Sequence, residues 1–285
     1  MFVPRSYAYD LTRAENARRM YQESTPAILI HLAAIVGGIG ANQANPGRFF
    51  YENMAIGLNV VEEARRYGGL EKLVLAGTTC SYPKFSAVPF REAHLWDGYP
   101  EETNAAYGVA KRALLAMAWG YREQYGMNLI YLVPTNLFGP RDNFDLETSH
   151  VIPALIRKFV EAKEKGEPSV VAWGTGNVSR EFLYVEDAAH AITLATELYN
   201  KPDPVNLGTG REVLIRDVMG IIQRQTGYEG RITWNTSKKD GQPRRSLDTT
   251  RARDEFGFEA RTSLEEGLRR TIEWYMQNGP RREDA

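Results

Sequence analysis

The run Leu73-Val74-Leu75-Ala76 is short, apolar and uninterrupted, and it lies between two stretches, residues 53–67 and 107–121, whose apolar positions recur at helical spacing. A strand that is apolar on both faces has to be covered on both faces, so this run predicts a buried strand of a parallel sheet. Similar runs at residues 27–34 and 128–133 extend the pattern, and strands alternating with helices of this length imply a parallel sheet with helices on either side. A further short strand is expected at residues 1–6 and a helix at 13–24, with Asp10 as its N-cap.

Directly after the Leu73 run comes Gly77-Thr78-Thr79-Cys80-Ser81-Tyr82-Pro83, which places hydroxyls and the only thiol of the chain at a strand's carboxyl end, where open α/β sheets bind ligands. Tyr107 and Lys111 stand four residues apart in a helical pattern and share a face. An unperturbed phenol titrates near ~10, too high for acid–base work at neutral pH, and a neighbouring ammonium is expected to lower that value. The Thr78 hydroxyl can orient the substrate oxygen that the tyrosine protonates. The same spacing also describes an ordinary exposed helix pair, and the strand-end hydroxyl is what raises it above that. Small residues at Val36-Gly37-Gly38-Ile39-Gly40 would let a ligand approach the backbone, although a flexible turn has the same composition.

Beyond residue 148 the rhythm changes: helices are expected at 152–164, 185–199, 215–226 and 264–277, with short strands at 169–172 and 204–207 and a basic loop at 238–245. The expected class is α/β, a Rossmann-type doubly wound parallel sheet in residues 1–148 followed by a smaller α+β substrate lobe in residues 149–285. A net charge of −1 with both signs interspersed gives no surface for nucleic acid or an anionic membrane. One cysteine rules out an internal disulfide, and the four scattered histidines lack metal-ligand spacing, so no metal is expected. No apolar stretch approaches the ~20 residues of a membrane helix, which points to a cytoplasmic protein.

Six stretches, HLAAIVGGIGAN at 31–42, TTCSYPK at 78–84, Tyr107 with Lys111, PTNLFGPRDNF at 134–144, SHVIPAL at 149–155 and KDGQPR at 239–244, occur in order over nearly the whole chain. Together they resemble the GDP-L-fucose synthases, extended short-chain dehydrogenase/reductases that act as GDP-4-keto-6-deoxy-D-mannose 3,5-epimerase-4-reductases. The resemblance implies that Tyr107 donates a proton to the C4 oxygen during hydride transfer, that Lys111 lowers its pKa and contacts a ribose, and that Thr78 completes the triad. Cys80 and His150 become the acid–base pair at C3 and C5. A thiol near ~8.5 and an imidazole near ~6.5 suit that work, because the 4-keto group acidifies both carbons and inversion needs one group to take a proton and another to return it. Without the resemblance, a lone cysteine beside a strand is more often a small buried hydrophobe.

The implied cofactor is NADP(H), contacted by Leu32, Ala33, Ala34, Ala76, Gly77, Thr78, Thr79, Tyr107, Lys111, Pro134, Thr135, Asn136, Leu137 and His150. Arg5 stands where a 2'-phosphate reader would sit, or is simply solvated. The implied substrate, GDP-4-keto-6-deoxy-mannose, meets Asn136, Lys158, Trp173, Arg180 and Asp240, with the cations suited to a diphosphate. A homodimer through the helices at 53–67 and 107–121 is implied as well. Thr78 replaces the serine of many members, Arg141 a common histidine and Lys158 a frequent arginine. Relative to that family the first strand and its glycine-rich turn, about 30 residues, are expected to be lacking, with weak or absent dinucleotide binding as the consequence. A shifted start site or truncated form, an inactive fragment, or a strand supplied by another chain would each account for this, and the intact downstream positions favour the first. The alternatives carried alongside are a sister epimerase-reductase on another GDP-4-keto sugar and a catalytically silent sugar-nucleotide-binding fragment.

Overall fold

The apolar run at residues 73–76 forms the interior of a parallel sheet, with both faces covered. The structure, a computed structural model, describes residues 1–237 and 241–279. Its first part runs α1 (Ala14–Ser24), β1 (Ile28–His31), α2 (Ile39–Ala44), α3 (Pro46–Tyr67), β2 (Lys72–Ala76), α4 (Ala105–Tyr125) and β3 (Leu129–Pro134). There follow β4 (Asn136–Phe138), α5 (Val151–Lys165), β5 (Ser169–Trp173), β6 (Ser179–Arg180), β7 (Phe182–Tyr184), α6 (Val185–Leu198) and β8 (Val205–Leu207). The chain closes with β9 (Val213–Leu214), α7 (Ile215–Thr226), β10 (Arg231–Asn235), α8 (Thr250–Phe256) and α9 (Leu264–Asn278).

Strands β1, β2, β3 and β8 pair in that order, all parallel. Alternate side chains leave opposite faces of a strand. Leu73, Leu75, Leu129, Tyr131 and Val133 accordingly pack on Val60, Val61, Leu114 and Leu115 of α3 and α4. Val74, Ile130 and Leu132 pack on the other side against Ala188, Ala191 and Ala195 of α6 and Ala252 and Phe256 of α8. The doubly wound sheet read from the sequence is therefore present, and its uninterrupted apolar strands are the direct result of that double cover.

The later elements build a second core around Ile152, Phe159, Val170, Val218, Ile222 and Leu268. Three two-stranded pairs belong to this half: β5 with β10, β4 with β7, and β6 with β9. Glu181, fully buried between β6 and β7, ties the halves together. Its carboxylate accepts backbone N–H groups of Thr209, Gly210 and Leu247, which satisfies a charge that would otherwise be costly to bury. The chain does not stay in one half after residue 148, because β8 returns to the first sheet beside β3.

Two local expectations are corrected. Residues 1–6 form no strand, and Met1, Phe2 and Val3 are exposed; an extended segment needs a hydrogen-bonding neighbour, and none of the described strands lies beside them. Asp10 caps a turn rather than α1: its Oδ1 accepts the Thr12 N–H at 3.0 Å, and the helix starts later with Arg13 as N-cap. No helix among the described residues is long and apolar enough to cross a membrane.

Helices α3 and α4 approach so closely that a Cβ added at Gly57 would lie 2.4 Å from both Leu114 methyls. Gly57→Ala is therefore expected to destabilise the protein by about 1–3 kcal/mol despite alanine's better helix propensity, read as a lower thermal midpoint.

Candidate active site

The site begins where α4 meets the turn after β2. That turn is a short 3₁₀ segment, Thr79–Ser81, and the Thr78 hydroxyl caps it by accepting the Cys80 N–H at 3.2 Å. Helix α4 lies directly on it: a Cβ at Gly108 would fall 2.1 Å from the Cys80 carbonyl oxygen. Ser81 Oγ donates to the Gly108 carbonyl at 3.0 Å, and Tyr131 Oη donates to the Lys111 carbonyl at 2.8 Å. Arg112, itself buried, donates to the Ser81 carbonyl and, at 2.8 Å, to that of Gly98. These contacts place Thr78, Cys80, Tyr107 and Lys111 together.

The surroundings set the protonation of this group. Burial pushes the Tyr107 phenol above its usual range, with Cys80 and Tyr131 adding to the rise and the Thr78 hydroxyl opposing it. Lys111 is 2% exposed, and burial pulls its pKa down to about 8. The expected lowering of the phenol by Lys111 is thus not what the structure shows, since desolvation acts on both groups and drives each toward its neutral form. His31 at the end of β1 is pushed down to about 3, first by burial and then by the charge of Lys111, so it is a neutral neighbour.

Past β1 the backbone emerges at Leu32 and Ala33, which are exposed, and runs into the glycine loop. Asn53 holds that loop, accepting the Ile35 N–H at 3.1 Å and donating to the Ile35 carbonyl at 2.9 Å. The loop touches the segment before α5: Gly38 N donates to the Thr148 carbonyl at 3.2 Å, and a Cβ at Gly38 would lie 2.7 Å from the Ser149 carbonyl oxygen. His150 is the N-cap residue of α5, without a side-chain cap bond, and its pKa is lowered by desolvation. It follows Ser149, whose carbonyl meets the glycine loop, and among the described residues no hydrogen bond joins its ring to Tyr107 or Cys80.

The segment from Pro134 to Leu137 crosses from β3 into β4, with Thr135 N donating to the Leu207 carbonyl at 2.9 Å and Asn136 Nδ2 to the Glu181 carbonyl at 2.8 Å. Strand β2, which ends at Ala76, lies parallel beside β3, so their carboxyl ends and the end of β1 open on the same side of the sheet. On the second lobe, Lys158 donates to the Val171 carbonyl at 3.1 Å, and Trp173 is 55% exposed, so it is no core residue. Gly40 of α2 approaches the Trp173 ring, and Gly241 lies between Ile39 and Arg180. Arg180 donates at 2.7 Å to the carbonyls of Ser179 and Gln242. Asp240 lies outside the described residues, and Arg5 is exposed.

Two residues escaped the sequence reading. Arg245, 6% exposed, donates to the Cys80 sulfur at 3.6 Å, and the buried Gln242 accepts from it. The basic loop at 238–245 was visible as a charge run, but such runs are ordinarily solvated and nothing local marks its last arginine as buried.

Gly108→Ala is expected to force α4 off the turn, costing on the order of 2 kcal/mol or more because a backbone carbonyl cannot move aside as a side chain can. Thermal denaturation checks the loss, and a variant as stable as the parent would show that this contact does not hold the site.

Residues 4–208 match the model of the NAD dependent epimerase/dehydratase family. The chain is 43% identical over 269 residues to the GDP-L-fucose synthase of Sinorhizobium fredii (strain NBRC 101917 / NGR234), covering 94% of this chain and 85% of that protein. It is 42% identical over 277 residues to the probable GDP-L-fucose synthase 1 of Oryza sativa subsp. japonica, covering 97% and 84%. The crystal structure of a GDP-L-fucose synthetase from Naegleria fowleri bound to NADP superimposes with a TM-score of 0.88 at 29% identity, covering 98% of this chain and 85% of that one. An epimerase-type sheet with a tyrosine, a lysine and a strand-end hydroxyl at its carboxyl edge agrees with these matches, and the chain belongs to the NAD dependent epimerase/dehydratase family, among the GDP-L-fucose synthases.

Proposed function

We propose that this protein is an NADP(H)-dependent enzyme that epimerises GDP-4-keto-6-deoxy-D-mannose at C3 and C5 and reduces it at C4, giving GDP-L-fucose. The observation that carries the reading is the junction of α4 with the β2 turn, where Tyr107, Lys111, Thr78 and the chain's single thiol are brought together.

The residues fit the cofactor's nicotinamide end. Lys111 is buried, yet its ammonium makes no hydrogen bond within the described residues, which leaves a donor for ribose hydroxyls beside the open strand ends. Leu32, Ala33, Ala34, the Ala76, Gly77, Thr78 and Thr79 strand end, Pro134, Thr135, Asn136, Leu137 and His150 would complete the contacts, and bound NADPH supplies the hydride.

Epimerisation has to come first, because the 4-keto group acidifies the neighbouring carbons only until it is reduced. Cys80 and His150 take and return protons at C3 and C5 from opposite faces; desolvation lowers the pKa of His150, which makes its protonated ring a readier proton donor. Tyr107 then protonates the C4 oxygen. Its raised pKa suits this direction, since the phenol holds its proton until an alkoxide forms beside it. Thr78 orients that oxygen, while Asn136, Lys158, Trp173, Arg180 and Asp240 take the GDP-sugar, the cations facing the diphosphate and the exposed indole offering a packing face.

We also propose a homodimer. The outer face of α3 exposes Tyr51 and Leu58, and α4 exposes Trp119 and Tyr125, apolar surface that a second copy would cover. A cytoplasmic location fits the single half-buried thiol, which stays reduced there.

Incubation with NADPH and GDP-4-keto-6-deoxy-mannose should yield GDP-L-fucose; failure to form it sinks the reading. Tyr107→Phe should cut reduction by a factor of about 10² or more, whereas Cys80→Ser should suppress solvent deuterium uptake at C3 and C5 and spare reduction of a ketone that needs no epimerisation. Because Lys111 loses its charge as pH rises through about 8, kcat/KM for reduction should fall on an alkaline limb near that value. A profile flat through the alkaline range would exclude Lys111 from holding the cofactor as a cation.

A further inference from the structure

Arg245 presents a buried guanidinium to the turn that carries Cys80. Its Nη1 donates to Cys80 Sγ at 3.6 Å, while Nε and Nη2 donate to Gln242 Oε1 at 3.3 and 3.2 Å. Gln242, 4% exposed, is fixed in turn: its Nε2 donates to the Lys84 carbonyl at 2.9 Å, and its own carbonyl accepts from Arg180 at 2.7 Å. The backbone is anchored as well, with Phe90 N donating to the Ser246 carbonyl at 2.7 Å and Leu247 N to the Glu181 carboxylate at 2.6 Å. The guanidinium is therefore aimed by its surroundings and not by chance.

No carboxylate pairs with Arg245 among the described residues. A desolvated cation without a counter-charge is costly, and the protein lowers that cost by placing beside it a group able to become an anion. Of the two groups among the described residues that accept from Arg245, Gln242 is a neutral amide, and of these two the sulfur is the one that can take negative charge.

We propose that Arg245 is a positioning residue for Cys80, turning the sulfur toward the cleft and supporting the charge it carries as a thiolate when it acts as base. This rests on the reading of Cys80 as an acid–base group. In the step concerned, the thiolate takes the proton from the carbon beside the ketone, and the C–H electron pair moves into an enolate with its charge on the keto oxygen. The conjugate acid of His150 delivers a proton to the other face and the ketone re-forms. Cys80 then gives its proton to solvent and His150 regains one.

The test compares the full chain with Arg245→Gln, Arg245→Lys, Arg244→Gln and Cys80→Ser, following deuterium uptake at C3 and C5 of the GDP-4-keto sugar and alkylation of the only thiol by iodoacetamide. Arg245→Gln should lower the exchange kcat about tenfold or more with KM little changed, and slow alkylation in parallel. Arg245→Lys, which keeps the charge, should recover part of both rates. Arg244→Gln, which breaks an ion pair with Glu212 at 2.8 Å, serves as the charge-loss control and should match the parent. Parent-like exchange and alkylation in Arg245→Gln, with Cys80→Ser inactive in exchange, overturns this inference and leaves the role of Cys80 standing. Undiminished exchange in Cys80→Ser overturns both. Should Arg245→Gln fail to fold, the parent decides: its thiol is expected to alkylate at neutral pH faster than free N-acetylcysteine, and an equal or slower rate overturns the proposal.

Discussion

The site depends on one contact made possible by a missing side chain. Gly108 lets α4 settle onto the Cys80 carbonyl, and any larger residue would collide with backbone. The approach carries Tyr107 to the thiol, seals Lys111 from water and allows Ser81 and Tyr131 to bond helix carbonyls that already serve the helix. Packing of α3 against α4 through Gly57 supports it from behind, since a helix displaced there would also lift off the turn. Two glycines inside helices cost intrinsic stability, and the close packing offsets it.

Exclusion of water then dominates the chemistry. In a wet site a lysine one turn from a tyrosine would favour phenolate; in this dry one the lysine is itself brought down to about 8 while the phenol rises. The result is a tyrosine that holds its proton more tightly than a free phenol does. His31 shows the same effect in simpler form, kept neutral behind Lys111 by burial.

The two halves of the chain contribute different chemistry, and a small set of polar groups keeps them in register. Glu181 gathers backbone N–H groups from segments 209–210 and 247, and Gln242 links Arg180 on β6 to Arg245 and through it to Cys80. The lobe bearing Lys158, Trp173 and Arg180 is thereby tied to the turn that holds the thiol.

The amino-acid order by itself determined β1, β2, β3 and the long helices, because an apolar period is a local property and a strand flanked by two helices must be covered twice. It also determined the Tyr107 and Lys111 pair and the cluster from Thr78 to Cys80, since spacing and strand-end position can be read along the chain. Only the folded arrangement decided that β8 returns to the first sheet, that residues 1–6 remain unpaired and that Asp10 caps a turn, each of which depends on a neighbour remote in sequence. The same holds for Arg245 and for the directions in which Tyr107 and Lys111 titrate. Burial of a charged group is set by everything packed around it, and the sulfur that Arg245 meets lies 165 residues away along the chain.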